Sequence, residues 1–84
     1  MVIVKAFPTL RGYLPSEFFG KEGFSLDLST IKKGQVSIDD LVSYLEIPRD
    51  RVFMVILNGI INKDFSIIIH HGDTIFLSTP VAGG

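Results

Sequence analysis

The residues best placed to do chemistry stand together at the end of the sequence, Pro80-Val81-Ala82-Gly83-Gly84. Two consecutive glycines carry no Cβ and are wasteful inside a packed fold. They suit a slim arm that enters a narrow channel and presents the Gly84 carboxylate to another protein. The same signals also describe an ordinary terminus, because chain ends commonly fray. Other candidates are weaker. His70-His71 invites a metal or general-base reading, yet neighbouring side chains on an extended segment diverge and no third ligand is near in sequence. Polar turn residues account for the pair better. Asp39-Asp40 is explained by the start of a helix, where the dipole favours negative charge. The chain has no cysteine, hence no thiolate nucleophile, disulfide or zinc–thiolate site. No Ser/His/Asp set or phosphate-binding loop is visible. The expectation is a protein without metal or cofactor of its own that does not catalyse a reaction alone.

Length and composition limit the partners. Eighty-four residues make one small domain, and 46% hydrophobic residues exceed what a disordered chain contains. A net charge of −1 argues against nucleic acid and against anionic membranes, which select basic patches. Lys5 interrupts the N-terminal apolar run too early for a signal peptide, and no run is long enough to span a bilayer. A cytoplasmic address is expected.

The positioning elements follow from local patterns. Residues 2–7 are β-branched and aromatic, with Val2, Val4 and Ala6 on one face and Ile3, Lys5 and Phe7 on the other. Lys5 marks the wetter face. Residues 12–23 read as a loop carrying Tyr13, Phe18 and Phe19, with a helical turn at 16–19. Residues 24–28 alternate as a half-buried strand. Lys32-Lys33-Gly34 is a polar turn. Ser37 then caps a helix of about three turns whose stripe is Ile38, Leu41, Val42 and Leu45. Pro48 closes it near Glu46. Residues 52–57 are almost uniformly apolar and predict a strand buried on much of both faces. Asn58-Gly59 predicts a type I′ hairpin into a short return strand at 60–62. Residues 67–69 are a strand fragment or a buried loop. Residues 74–78 form the last strand, with Ile75 and Leu77 on one face and Phe76 on the other.

One amphipathic helix needs a sheet to cover, which gives a two-layer α+β domain. Placing the first and last strands side by side, central and parallel, satisfies the connection rules. This is the ubiquitin-like β-grasp, a mixed sheet with one main helix on one face, over residues 1–79. Residues 80–84 then form a tail launched from a central strand.

Residues 72–77 together with Pro80-Val81-Ala82-Gly83-Gly84 resemble the end of the molybdopterin synthase small subunit, a ubiquitin-like sulfur carrier. Phe7-Pro8-Thr9-Leu10-Arg11 is similar to that family's Phe-x-x-Leu-Arg signature, and Val55-Ile56-Leu57-Asn58-Gly59 to its third-strand turn. Ser78-Thr79 departs from the family, which often has an aromatic and a proline there, and residues 12–23 and 63–71 match nothing in it. The resemblance implies that the Gly84 carboxylate attacks ATP on a ubiquitin-activating-type adenylating enzyme, and that ATP is that partner's cofactor. Sulfur from a persulfide enzyme then displaces AMP and leaves a thiocarboxylate. The loaded tail enters the synthase large subunit and donates sulfur to a pterin precursor in molybdenum or tungsten cofactor synthesis. Gly83 keeps the arm slim, and Pro80, Val81 and Ala82 contact the partner.

Rival readings share the tail: a carrier for thiamine or tRNA thiolation, or a ubiquitin-like modifier. Thiamine carriers are usually shorter and lack the proline. An interaction module with an inert tail is the reading from another class. For docking, Phe7, Phe76 and Ile61 are expected as an apolar patch on the face away from the helix. The competing expectation is that Tyr13, Phe18 or Phe19 folds over them as a satellite core.

Overall fold

In the computed structural model, which describes residues 1–79, a five-stranded sheet carries one main helix. The strands are β1 (Val2–Ala6), β2 (Gly23–Leu26), β4 (Met54–Leu57), β5 (Ile60–Asn62) and β7 (Thr74–Ser78), in spatial order β2-β1-β7-β4-β5. β1 and β7 are central and parallel, with Val4 opposite Ile75 and Ala6 opposite Leu77. The other pairings are antiparallel. This is the expected α+β, ubiquitin-like β-grasp arrangement.

Alternation sorts the residues of the sheet. Val2, Val4, Ala6, Phe24, Leu26, Val55, Ile75 and Leu77 are buried on one face. There they join Ile38, Leu41, Val42 and Leu45 of the helix and its C-cap in one hydrophobic cluster. Removing this much apolar surface from water is the main force available to so small a domain.

The helix α1 (Ile38–Tyr44) spans two turns instead of the expected three. Its start is as the sequence indicates. The Asp40 N–H donates to Ser37 Oγ at 3.1 Å, and the Ser37 N–H donates back to Asp40 Oδ2 at 2.9 Å, a reciprocal capping box. Its end comes before Pro48. Glu46 takes φ 58°, and its N–H donates to the Ser43 carbonyl at 3.1 Å while that of Ile47 reaches the Val42 carbonyl at 3.2 Å. These two bonds are a Schellman motif, completed by burial of both Val42 and Ile47.

Several boundaries differ from the sequence reading. β2 ends at Leu26, because the Asp27 side chain accepts from the Ser29 N–H and starts a short 3₁₀ turn at Leu28–Thr30. β4 begins at Met54, after a 3₁₀ turn at Arg49–Arg51. It is not buried on both faces: Val55 is fully covered, whereas Met54 and Ile56 are half-buried. The regular element of the long loop is a 3₁₀ helix at Pro8–Tyr13, and residues 16–20 make turns only. Ile68–Ile69 (β6) is a strand. It pairs with an unforeseen β3 (Val36–Ser37) in a separate two-stranded sheet. The segment leading into β6 also finishes the helix, since the Phe65 and Ile67 carbonyls accept from the N–H groups of Asp39 and Ile38 at 2.9 and 3.0 Å. Those donors have no partner within a helix.

Candidate functional site

The strand leading to Pro80 is the best-supported element of the sheet. β7 is hydrogen-bonded to β1 on one side and β4 on the other. At its start, Asn58 folds its side chain back from the hairpin. Its Oδ1 accepts from the Thr74 N–H at 2.8 Å and its Nδ2 donates to Asp73 Oδ1 at 2.9 Å. Asp73 Oδ2 accepts in turn from the His70 N–H at 2.7 Å. Asn58 and Gly59 both have positive φ, 51° and 85°, as a type I′ turn requires. The Asn-Gly pair thus makes the hairpin and also tethers it to the base of β7.

At the other end, the Phe53 N–H donates to the Ser78 carbonyl at 2.8 Å and the Phe7 N–H to that of Leu77 at 3.1 Å. Ser78 is buried, and its hydroxyl donates to the Thr79 carbonyl at 3.1 Å. Thr79 Oγ1 lies 3.1 Å from Thr9 Oγ1. Ser78 and Thr79 thus give the end of β7 a hydrogen-bonded base. The Phe-x-x-Leu-Arg stretch also has a physical reason here. Leu10 is wholly buried, and Arg11 Nε donates to the Ala6 carbonyl at 3.1 Å, tying the turn to the end of β1.

Phe7 and Phe76 lie on the sheet face away from the helix, with ring centroids 5.2 Å apart and planes at 84°. Ile61 reaches them through Ile56, which pairs with Ile61 on one side and Phe76 on the other. Ile56 is the member that the sequence reading missed, because a strand assumed to be buried on both faces leaves nothing to display. Ile61 is 63% exposed. The loop aromatics do not form a lid here. Phe18 stacks on Phe24, with centroids 4.2 Å apart, and Phe24 belongs to the helix-side core. Tyr13 and Phe19 are exposed. Of the patch side chains Phe7, Ile56, Phe76 and Ile61, only Ile61 is exposed, while Phe7, Ile56 and Phe76 are half-buried.

Pro80, Val81, Ala82, Gly83 and Gly84 lie outside the described residues. His71 contacts the N-terminal amine, and His70 is engaged through its backbone. Among the described residues no group of three or more His, Cys, Asp or Glu side chains is arranged to hold a metal ion. Asp39 pairs with Arg49 at 3.1 Å and Asp40 belongs to the helix cap, as charges at a helix start are expected to do. The Ser37 N–H and then the Lys32 ammonium, 2.9 Å away, hold the Asp40 carboxyl below its usual range. No helix among the described residues is long and apolar enough to cross a membrane. No protein-family model matches the chain, and no curated protein shows significant similarity to it.

Proposed function

We propose that the chain is a sulfur carrier that acts as the small subunit of molybdopterin synthase, with Gly84 as its reactive end. The observation that supports this reading is the strand before Pro80. It is central in a β-grasp sheet, bonded on both edges and tethered at both ends. A carboxylate offered to another protein's site gains from a base held in this way, because a fixed origin narrows the volume the arm must search.

In this reading a Gly84 carboxylate oxygen attacks the α-phosphorus of ATP in the adenylating partner, and pyrophosphate leaves. The terminal sulfur of a persulfide attacks the acyl-adenylate carbonyl, and AMP leaves. A thiol then cleaves the S–S bond and takes up the other sulfur as a disulfide, freeing the thiocarboxylate. The carrier's own contribution is reach and position. The large subunit supplies the pterin site, and the sheet face away from the helix, around Phe7, Phe76 and Ile61, supplies docking area. The protein is a co-substrate of these enzymes and not itself an enzyme.

The test is intact-mass analysis after incubation with an adenylating enzyme, ATP and a persulfide donor. The expected result is the mass gain of one oxygen-for-sulfur exchange at Gly84. Deleting Gly84, or Gly83→Trp, abolishes the gain and leaves the fold intact. A native chain that is never adenylated points to an inert tail and ends this reading.

A further inference from the structure

The side chain that ties the β4–β5 hairpin to β7 belongs to Asn58, and Gly59 follows it. That order of residues is chemically unstable. The Gly59 amide nitrogen, with no Cβ beside it, can lose its proton to base and attack the Asn58 carboxamide carbon. Nδ2 then leaves as ammonia, and a five-membered imide remains. Water opens the imide at either carbonyl. The product is an aspartate, or an isoaspartate whose backbone runs through the side-chain carbons. One amide is exchanged for one acid, with water consumed, ammonia released and nothing oxidised or reduced. Asn62, the chain's other asparagine, precedes Lys63, whose side chain hinders the same attack.

The fold holds Asn58 against this reaction. Its N–H donates to the Thr74 carbonyl at 2.9 Å. Its Oδ1 accepts from the Thr74 N–H at 2.8 Å, and its Nδ2 donates to Asp73 Oδ1 at 2.9 Å. Ring closure swings the carboxamide toward Gly59 and expels Nδ2, so both side-chain bonds must break first. Asn58 and Gly59 are exposed, so water and base reach the turn and the clasp is what restrains it. The other oxygen of Asp73 accepts from the His70 N–H at 2.7 Å. An acid at position 58 would therefore set a second carboxylate against Asp73 where a donor stood, and like charges so close repel. An isoaspartate would instead lengthen the backbone of a two-residue turn with positive φ at both positions, 51° and 85°, a geometry with no room for an extra atom.

We infer that Asn58 is a deamidation site that the folded hairpin guards, and that its conversion releases the base of β7. Local opening of the hairpin from β7 exposes the site, and refolding does not reverse the change. The chemistry is independent of what the tail does.

The experiment incubates the full chain at mildly alkaline pH, folded and in guanidinium chloride. Positions 58 and 62 are followed by peptide mass mapping and by enzymatic methylation of isoaspartate. Conversion is expected at position 58 and not at 62, at least about tenfold slower in the folded chain, because only the open fraction reacts. Converted chain, separated by ion exchange, should have a lower urea midpoint than native protein and faster hydrogen exchange at the Thr74 N–H. Asn58→Asp should reproduce the loss. Adding Asp73→Asn should restore most of it, since the new amide donates to position 58 while its oxygen still accepts from His70. Equal rates in folded and unfolded chain would show that the clasp guards nothing and overturn the inference. An unfolded chain that stays unmodified at position 58 would overturn it as well. A converted chain as stable as the native one would overturn the release of β7. A double variant no better than Asn58→Asp alone would remove the clash with Asp73 as its cause.

Discussion

Phe7 follows β1 and Phe76 lies within β7, and their rings meet edge to face across the two central strands at 5.2 Å. The contact joins the ends of the chain's longest-range pairing on the side that has no helix. Phe76→Asp is expected to give a folded monomer that binds the adenylating enzyme poorly, since the new carboxylate must be desolvated without a partner. Unfolding of the free protein by this change, seen in circular dichroism, would assign Phe76 to the core instead.

The helix stripe carries much of the stability. Leu41 has no exposed surface, and its neighbours come from both the helix and the sheet face beneath it. Leu41→Ala is expected to cost roughly 2–5 kcal/mol in urea titration. That is a large share of what a domain of this size possesses. A cost below about 0.5 kcal/mol, the surface range, would mean that the residue is not packed as described.

Glu46 occupies the left-handed region at φ 58°, the position after a helix C-cap that glycine fills at least strain. Glu46→Gly is expected to stabilise the protein by about 0.5–1 kcal/mol, the relief of left-handed strain less the added freedom of the unfolded glycine. Glu46→Val should destabilise by a similar or larger amount, because β-branching makes that conformation worse. Equal midpoints for the two variants would contradict the Schellman ending.

Acid should weaken the fold in a definite window. The Ser37 N–H and the Lys32 ammonium lower the Asp40 carboxyl. The Ser29 N–H and hydroxyl lower Asp27, and the Ser66 hydroxyl and N–H lower Asp64. A carboxyl depressed in the folded state contributes its stability above the unfolded value, about 3.9, and loses it as pH falls through the lower folded value. Stability from these groups is therefore flat near neutrality and declines below about pH 4. Asp40→Asn should flatten part of that decline in denaturant titrations at successive pH values. An unchanged acid slope would show that the cap carboxylate does not contribute.

The parts of the fold legible in the sequence are those set by local rules. Ser37 and Asp40 mark the helix start through spacing alone, Asn58-Gly59 marks its turn, and the alternation of Val2, Val4 and Ala6 marks the buried face of β1. Features that depend on partners distant in sequence were not legible. Val36 pairs with Ile69, and neither residue carries a signal for the other. The half-exposure of Ile56 depends on β4 having one face without a covering layer, which an apolar run cannot convey. The helix end escapes the sequence for another reason. Pro48 is a visible stop, whereas a glutamate in the left-handed region gives no sign in sequence. For the candidate site, alternation alone puts Phe7 and Phe76 on the face opposite Val4 and Ile75, whereas the position of Ile56 between Ile61 and Phe76 follows only from the strand order.

Ile3 stands opposite Thr74, 71 positions later in the chain. During synthesis, β1 therefore emerges long before its parallel neighbour exists. Until β7 arrives, β2-β1 and β4-β5 are two separate hairpin-like pairs with unsatisfied inner edges. Such non-local closure is slow relative to helical domains, and exposed edges recruit other strands in the meantime. Closure of the central pair therefore waits until β7 has been synthesised. A single cut in any exposed loop between residues 7 and 73 would divide the two central strands between fragments.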